Sequence, residues 1–258
     1  MAGQQLQILT QLYGLAEGSK FLTSKPLGQI DDDPAQLEFA RFIFDGPTGG
    51  GDPVRFGLFA GIHGDEPAGV AALIRFIEQL VRNPEMAQGY RLFIYPACNP
   101  TGVTTSSRCS RRGKDLNREF WKNSAETEVR LLEQEIRAQK FHGLISLHAD
   151  DTSSGMYGFV RGAVLSKGLL EPALKAAEEV LPRNNSAIID GFPAESGIIS
   201  ECYDGILTAP PDLNPAPFEI ILETPHAAPQ KQQVEAVVRA LSAILVEYQK
   251  LLSFAANL

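Results

Sequence analysis

Apolar residues in this chain follow two rhythms. Short, nearly continuous apolar runs occupy residues 37–44, 54–62, 91–98, 143–147 and 218–222. Runs of that length without polar alternation predict strands, most of them buried on both faces. Between them, apolar residues recur at three- and four-residue spacing over 5–15, 67–81, 125–140, 169–180 and 234–254. That spacing predicts amphipathic helices. A stretch rich in Gly, Pro and Ser, roughly 182–217, has neither rhythm. Strands alternating with helices predict an α/β fold, a mostly parallel mixed central sheet flanked by helices. With no repeat and no low-complexity linker, residues 1–258 read as a single catalytic domain.

Four of the runs lead into a residue with chemical potential: His63, Asn99, His148 and Glu223. In open α/β sheets, ligands bind beyond the carboxyl ends of the strands, so these residues should converge at one sheet edge. His63 and Glu66 stand three apart in Gly61-Ile62-His63-Gly64-Asp65-Glu66-Pro67, at a strand-to-helix turn. The helix dipole favours acids at that helix start. His148, at the end of another strand, is the best third ligand. Two His and one Glu form a known catalytic zinc set that leaves one position open for water. Taken alone, His-x-x-Glu is common without metal, and a strand-end His is more often a hydrogen-bonded structural residue. Their joint occurrence at two strand ends favours the metal. His142 precedes its strand and should lie at the opposite edge. His226 lies in a loop after Glu223 without metal-pair spacing.

Composition narrows the function classes. Hydrophobic residues make up 44% of the 258, enough for a substantial core, and the net charge is −8. No basic block suggests a nucleic-acid partner. No run reaches transmembrane length, and the start lacks a basic-then-apolar leader. The three cysteines form no Cys-x-x-Cys pair. That count argues against a disulfide framework or thiolate metal site and for a reducing, cytoplasmic compartment. Oligomeric state has no signature in the sequence.

Asn99-Pro100-Thr101-Gly102 is followed by Arg108 and by Gly113-Lys114-Asp115-Leu116-Asn117-Arg118-Glu119-Phe120. Together with His63-Gly64-Asp65-Glu66-Pro67, Ser146-Leu147-His148 and the late strand ending in Glu223, these motifs occur in a distinctive order. In them the chain resembles the zinc carboxypeptidase superfamily, which also holds the succinylglutamate desuccinylases and aspartoacylases. The resemblance implies a zinc-dependent exopeptidase-like (phosphorylase/hydrolase-like) fold and one zinc ion held by His63, Glu66 and His148. It implies that Asp115 hydrogen-bonds a zinc-bound histidine and that Arg108 polarises the scissile carbonyl. Asn117 and Arg118 would grip a substrate carboxylate, Glu223 would be the general base, and Tyr203 would cap the substrate. The chemistry suits those residue types. A planar guanidinium clasps carboxylates bidentately, and an Arg aimed at a developing oxyanion stabilises the transition state.

Some assignments stay open at this level. Arg111 is close enough to Arg108 to exchange roles with it, though Arg111, Arg112 and Lys114 also read as a solvated charged loop. Glu219 shares a strand face with Glu223. Glu223 is preferred as the base because it lies at the carboxyl end, and Glu219 reads as a solvated strand-start residue. The implied reaction is metal-assisted hydrolysis of an amide next to a terminal carboxylate. The substrate would be a short peptide, making the chain a metallocarboxypeptidase, or an N-acyl amino acid, making it a deacylase. Deacylases of this group often carry a β-rich C-terminal domain, and only the helix 234–254 follows Pro225, which favours the peptidase. A non-catalytic binding module would usually have lost a ligand or the base, and a purely structural protein would hold no metal. No side chain marks a specificity pocket.

Overall fold

The computed structural model describes residues 3–30, 37–161 and 164–255. The first half of the chain runs α1 (Gly3–Glu17), β1 (Leu22–Ser24), β2 (Gly28–Gln29), β3 (Glu38–Phe39), β4 (Phe42–Asp45), β5 (Val54–Ala60), α2 (Pro67–Arg82), β6 (Tyr90–Tyr95), α3 (Pro100–Thr105) and α4 (Thr127–Gln139). The second half runs β7 (Gly143–Asp150), β8 (Tyr157–Arg161), α5 (Val164–Ala177), β9 (Ile188–Ile189), β10 (Phe192–Glu195), β11 (Ile198–Ile199), β12 (Phe218–Pro225) and α6 (Gln230–Ala255).

Among the described residues the main sheet has the order β1-β4-β6-β5-β7-β12-β8-β11-β10-β9. Its centre, β6-β5-β7-β12, is parallel. Antiparallel strands flank that centre, β4 beside β6 and β8 beside β12. The predicted mixed, largely parallel α/β sheet is therefore present. The continuous apolar runs are explained by coverage on both faces. Phe56, Leu58, Leu92, Ile94, Ile145, Phe218, Ile220 and Leu222 pack with α2, α5 and α6. Alternate residues, Phe59, Phe93, Tyr95 and Leu144, pack with Val129, Leu132 and Ile136 of α4. That alternation follows from the two-residue strand period. It assigns His148 and Glu223 to the α4 side.

The chain departs from the predicted elements in identifiable places. The run 37–44 is not one strand: β3 pairs with β2 in a separate two-stranded sheet, and β4 then enters the main sheet. α5 begins earlier than predicted and carries Pro172 inside it, while α6 spans the predicted helix and starts four residues earlier. β8 had no predicted counterpart, because its five residues lie in a Gly-rich stretch without a helical or long apolar signal. The segment 182–217 contributes short strands at the sheet edge. No helix among the described residues is long and apolar enough to cross a membrane.

The register of β7 on β12 sets Gly143 beneath the Phe218 ring, where a Cβ would lie 2.1 Å from the ring. That ring is pinned edge-on against Phe56, with centroids 4.9 Å apart. Gly143→Ala is therefore expected to overpack the start of both strands. A loss of about 1–3 kcal/mol, or roughly 3–10 °C in thermal midpoint, should be measurable by calorimetry.

Candidate metal centre and active site

The loop bearing the first two candidate ligands is clamped before any ligand chemistry begins. β5 ends at Ala60, and Gly61 turns the chain with φ +65°. Gly64 rests directly on Gly102, so close that a Cβ would fall 1.9 Å from the Gly102 carbonyl carbon. Asn99 is fully buried and braces the turn. Its Nδ2 donates to the Ile62 carbonyl at 3.3 Å, and its Oδ1 accepts from Gly102 N–H at 2.8 Å. Asn99 thus holds the loop in place and does not line the cleft. Glu66 stands at the N-cap position of α2 with its side chain turned to the cluster, and Pro67 opens the helix with its fixed φ.

His63, Glu66 and His148 meet there, with relative exposures of 4%, 6% and 4%. One ligand atom from each lies within 4.8 Å of the others. His63 Nδ1 is 2.6 Å from Glu66 Oε1, and His148 Nδ1 is 3.1 Å from Glu66 Oε2. The two Nδ1 atoms are 3.3 Å apart. Glu66 Oε2 also accepts the Ala149 N–H at 3.1 Å. The other ring nitrogen of His63, Nε2, lies 3.1 Å from Asp115 Oδ1. A proton on Nε2 directed at Asp115 leaves the Nδ1 lone pair facing the cluster. Two imidazole lone pairs and a carboxylate, buried and convergent, suit a divalent metal of the zinc type.

The titration behaviour fits that donor set. Burial disfavours a charge on Glu66, but the two imidazoles outweigh it and hold the carboxyl down at about 2. Burial lowers His148 below the ordinary imidazole value against the pull of Glu66, favouring its neutral form. Burial also opposes a proton on His63, yet the bonds to Asp115 and Glu66 raise it. A metal ion competes with that proton. Burial works against ionised Asp115, but His63 and Arg108 hold its carboxyl well below the carboxylate range.

One cleft of about 380 Å³ gathers His63, Glu66, His148, Arg108, Asn117, Arg118, Tyr203 and Glu223. Arg108 grips Asp115 Oδ2 through Nε and Nη2 at 3.2 and 3.1 Å, which aims Nη1 at the ligand atoms, 3.2 Å from His63 Nδ1. Asn117 uses Oδ1 to accept the Leu207 N–H at 2.9 Å. Arg118 donates to the Asn117 carbonyl at 2.7 Å, and its guanidinium lies 4.4 Å from the centroid of the Tyr203 ring. The Tyr203 hydroxyl donates to the Asp190 carbonyl at 3.1 Å. Tyr203 therefore stands stacked on Arg118 at the cleft wall. Glu223 faces His148 across the β7–β12 register, and among the described residues its carboxylate has no hydrogen-bond partner. Burial, reinforced by the charges of Glu66, Asp150 and Asp190, pushes its carboxyl well up.

The cleft also holds residues that sequence reasoning did not select. Asp150, Asp151, Tyr157 and Asp190 line it. Asp150 follows His148 on the same strand by two positions, so the two-residue period could have identified it. Tyr157 lies on the unpredicted β8 and donates to Asp150 Oδ2 at 2.9 Å. Asp190 sits in a left-handed turn with no sequence motif. His226 lines the cleft without joining the ligand cluster. His142 stays at the far edge, its Nδ1 accepting the Arg55 N–H at 3.0 Å.

Glu219 corrects the expectation of a solvated residue. It is only 9% exposed. Ile206, Leu207 and Thr208 line the small space around Glu219, and Glu219 Oε1 accepts the Ala209 N–H at 2.8 Å. Burial pushes its carboxyl up to about 7, against the Ala209 N–H and Arg161.

The fold and this cluster define a class: carboxypeptidase-like architecture with a His-Glu-His candidate metal site. The sequence profile of the succinylglutamate desuccinylase/aspartoacylase catalytic domain matches residues 54–182, half of the chain, and the chain belongs to that family. Solved structures share the fold. A Shewanella amazonensis chain assigned to the metallopeptidases is 23% identical, with 93% of this chain and 91% of that one covered at a TM-score of 0.76. A metallo-carboxypeptidase from Burkholderia cenocepacia is 16% identical, covering 94% and 69% at 0.73. Bovine thrombin-activatable fibrinolysis inhibitor, in complex with tick carboxypeptidase inhibitor, is 14% identical, covering 96% and 97% at 0.71. No curated protein matches the chain.

Two measurements check the site. Asp115→Asn should weaken metal affinity about 10–100-fold in a chelator competition, because outer partners orient the ligating imidazole. Glu219 ionises at the ordinary 4.5 when unfolded but at about 7 when folded. The folded state therefore holds more protons between those values, and stability falls as pH rises through that window, then levels off. Urea unfolding of the wild type should lose roughly 3 kcal/mol more than Glu219→Gln across it.

Proposed function

We propose that the chain is a zinc-dependent metallocarboxypeptidase that hydrolyses short peptides at the amide next to their terminal carboxylate. The observation that carries this choice is the charge pattern of the cleft. Asp65, Glu66, Asp150, Asp151, Asp190 and Glu223 line it, against Arg108 and Arg118. One guanidinium, beside Asn117, suits one carboxylate. The surplus of acids suits an ammonium on the same substrate. An unblocked peptide carries both groups, whereas an N-acyl amino acid offers the carboxylate without the ammonium.

Zinc held by His63, Glu66 and His148 supplies Lewis acidity, polarising a carbonyl and making water more acidic. Arg118 and the Nδ2 donors of Asn117 hold the substrate carboxylate and fix which amide is presented. Arg108, oriented by Asp115, donates Nη1–H to the oxygen that gains charge. Glu223 accepts a proton from the attacking water at its carboxylate and returns it to the leaving amine nitrogen. Its place opposite His148 at the end of β12 sets it beside the candidate metal ligands, where the attacking water would lie. Tyr203 covers Arg118 and excludes water from the carboxylate subsite. The free thiols of Cys98, Cys109 and Cys202 support a reducing, cytoplasmic setting.

The family profile favours a second reading, an N-acyl-amino-acid deacylase using the same groups. A panel of dipeptides against N-acyl amino acids decides between them. Dipeptide turnover should dominate, disappear on chelation and return with zinc. Preferred hydrolysis of N-acyl amino acids would transfer the assignment to the deacylase. Glu223→Gln should keep its metal, measured by elemental analysis, while turnover falls by about 10²–10⁴-fold.

A further inference from the structure

Trp121 follows the two groups proposed to hold the substrate carboxylate, Asn117 and Arg118, in the same loop, and its φ is +60°. Left-handed backbone is disfavoured for a bulky side chain, and such a residue persists only where its surroundings over-determine it. Trp121 is held from three sides. Its backbone N–H donates to Glu133 Oε1. Its indole Nε1–H donates to the Thr208 carbonyl at 2.9 Å. The Arg137 guanidinium lies over its ring, 5.2 Å from the centroid, and also binds both carboxylate oxygens of Asp212 at 2.9 and 3.1 Å.

Thr208 and Asp212 lie in the segment that walls the cleft through Tyr203 and Ile206. The peptide group between Thr208 and Ala209 is bonded at both ends, its carbonyl to the indole and its N–H to Glu219 Oε1. Just upstream the same segment leans on the loop of Asn117 and Arg118. The Phe120 N–H donates to the Gly205 carbonyl at 3.0 Å, and Gly205 packs so closely that a Cβ would lie 2.4 Å from the Arg118 carbonyl oxygen. Asn117 Oδ1 accepts the Leu207 N–H at 2.9 Å, and this bond decides which way Asn117 faces. A backbone N–H can be met only by the amide oxygen, so Nδ2 is the group left for the cleft that Asn117 lines.

We propose that Trp121 is a positioning residue for the carboxylate subsite: its indole fixes the wall 203–208 against the loop 117–120, and the wall orients the Asn117 amide and the Arg118 guanidinium toward the substrate. The inference rests on the reading above of Asn117 and Arg118 as the carboxylate-binding groups. Without the indole N–H, the Thr208 carbonyl loses its anchor and the Leu207 N–H can leave Oδ1. Asn117 is then free to turn Nδ2 away from the cleft. Tyr203, stacked on the Arg118 guanidinium at 4.4 Å, belongs to the same wall and shifts with it. The terminal carboxylate keeps its charge throughout the reaction, so its subsite binds substrate and transition state alike. Loss of such binding raises KM and spares kcat.

The test uses the full, zinc-loaded chain with two substrates, Ala-Ala and its C-terminal carboxamide. Phenylalanine keeps an aromatic face under Arg137 and removes the N–H. W121F should raise KM for Ala-Ala about five- to tenfold with kcat within about twofold, and leave KM for the carboxamide unchanged, since that substrate lacks the charge the subsite holds. Equal changes for the two substrates, no change for either, or a fall in kcat alone overturns the proposal and makes Trp121 a purely structural residue. If W121F does not fold, R137M decides: this exposed change removes the cation from the ring and should raise KM for Ala-Ala alone, by about two- to threefold. Calorimetry of Ala-Ala binding to E223Q, where bound dipeptide is not consumed, separates the proposal from the peptidase reading. Absent dipeptide turnover in the wild type sinks the peptidase reading, while binding to E223Q that weakens about five- to tenfold on adding W121F leaves the positioning role standing. Binding that W121F does not alter, or no binding at all, overturns it.

Discussion

A carboxylate buried between two imidazoles is the constraint around which the rest of the molecule is arranged. Ionised Glu66 inside the protein is unfavourable unless something positive answers it. The answer is partial in the protein alone: the Ala149 N–H, the two rings, the start of α2 and the Nη1 of Arg108 all face it. Each is a weaker complement than a divalent ion. The cluster is therefore held in readiness by its surroundings. Asn99 and the Gly64–Gly102 contact fix the loop, and the parallel pairing of β5 and β7 fixes the distance between His63 and His148. A metal site assembled from separate strands needs this rigidity, since a shift of a fraction of an ångström would open the coordination sphere.

The same burial sets the behaviour of the cleft beyond the ligands. Glu223 shares the cleft with Glu66, Asp150 and Asp190, and their charges reinforce the effect of its burial in raising its carboxyl. Arg108 and Arg118 answer only part of that field and are both committed by contacts, one to Asp115 and one to Tyr203. Commitment reduces the side-chain entropy lost when substrate binds and fixes which atom points into the cleft. A second buried carboxyl, Glu219, extends the acidic character below the floor of the cleft.

The sequence disclosed what depends on chain order and local period. The apolar runs gave the central strands, and the turn 61–67 gave two ligands because His63 and Glu66 are neighbours in one loop. His148 was legible because β7 is a clean apolar run with an abrupt polar end. Placement of Asp115, Arg108, Asn117 and Arg118 needed the motif resemblance, since nothing periodic marks that loop. What stayed hidden depends on coverage from distant segments. Whether Glu219 is wet or dry is decided by residues 206–209, and its burial follows from packing that no local pattern encodes. β8 has no sequence signal because a five-residue strand interrupted by Gly158 has no reliable period. Asp190 entered the cleft through an edge turn whose position is set by sheet pairing alone.

The match to the family ends at residue 182, and the cleft draws residues from both sides of it. Within it lie the three candidate ligands, Asp115, Arg108, Asn117 and Arg118, which are proposed to activate a carbonyl and hold a carboxylate. Beyond it lie Asp190, Cys202, Tyr203, Ile206, Ile221 and Glu223. Those residues, together with Phe159, form the wall and floor that a substrate's remaining groups would meet. The shared half accordingly speaks for metal-assisted amide hydrolysis, a chemistry common to peptidases and deacylases. The proposed choice of substrate rests on the acids of the cleft, which lie on both sides of that boundary, Asp65, Asp150 and Asp151 before it and Asp190 after it. Their charge would act on an amine remote from the scissile bond, where binding energy can be directed to orientation of the reacting amide.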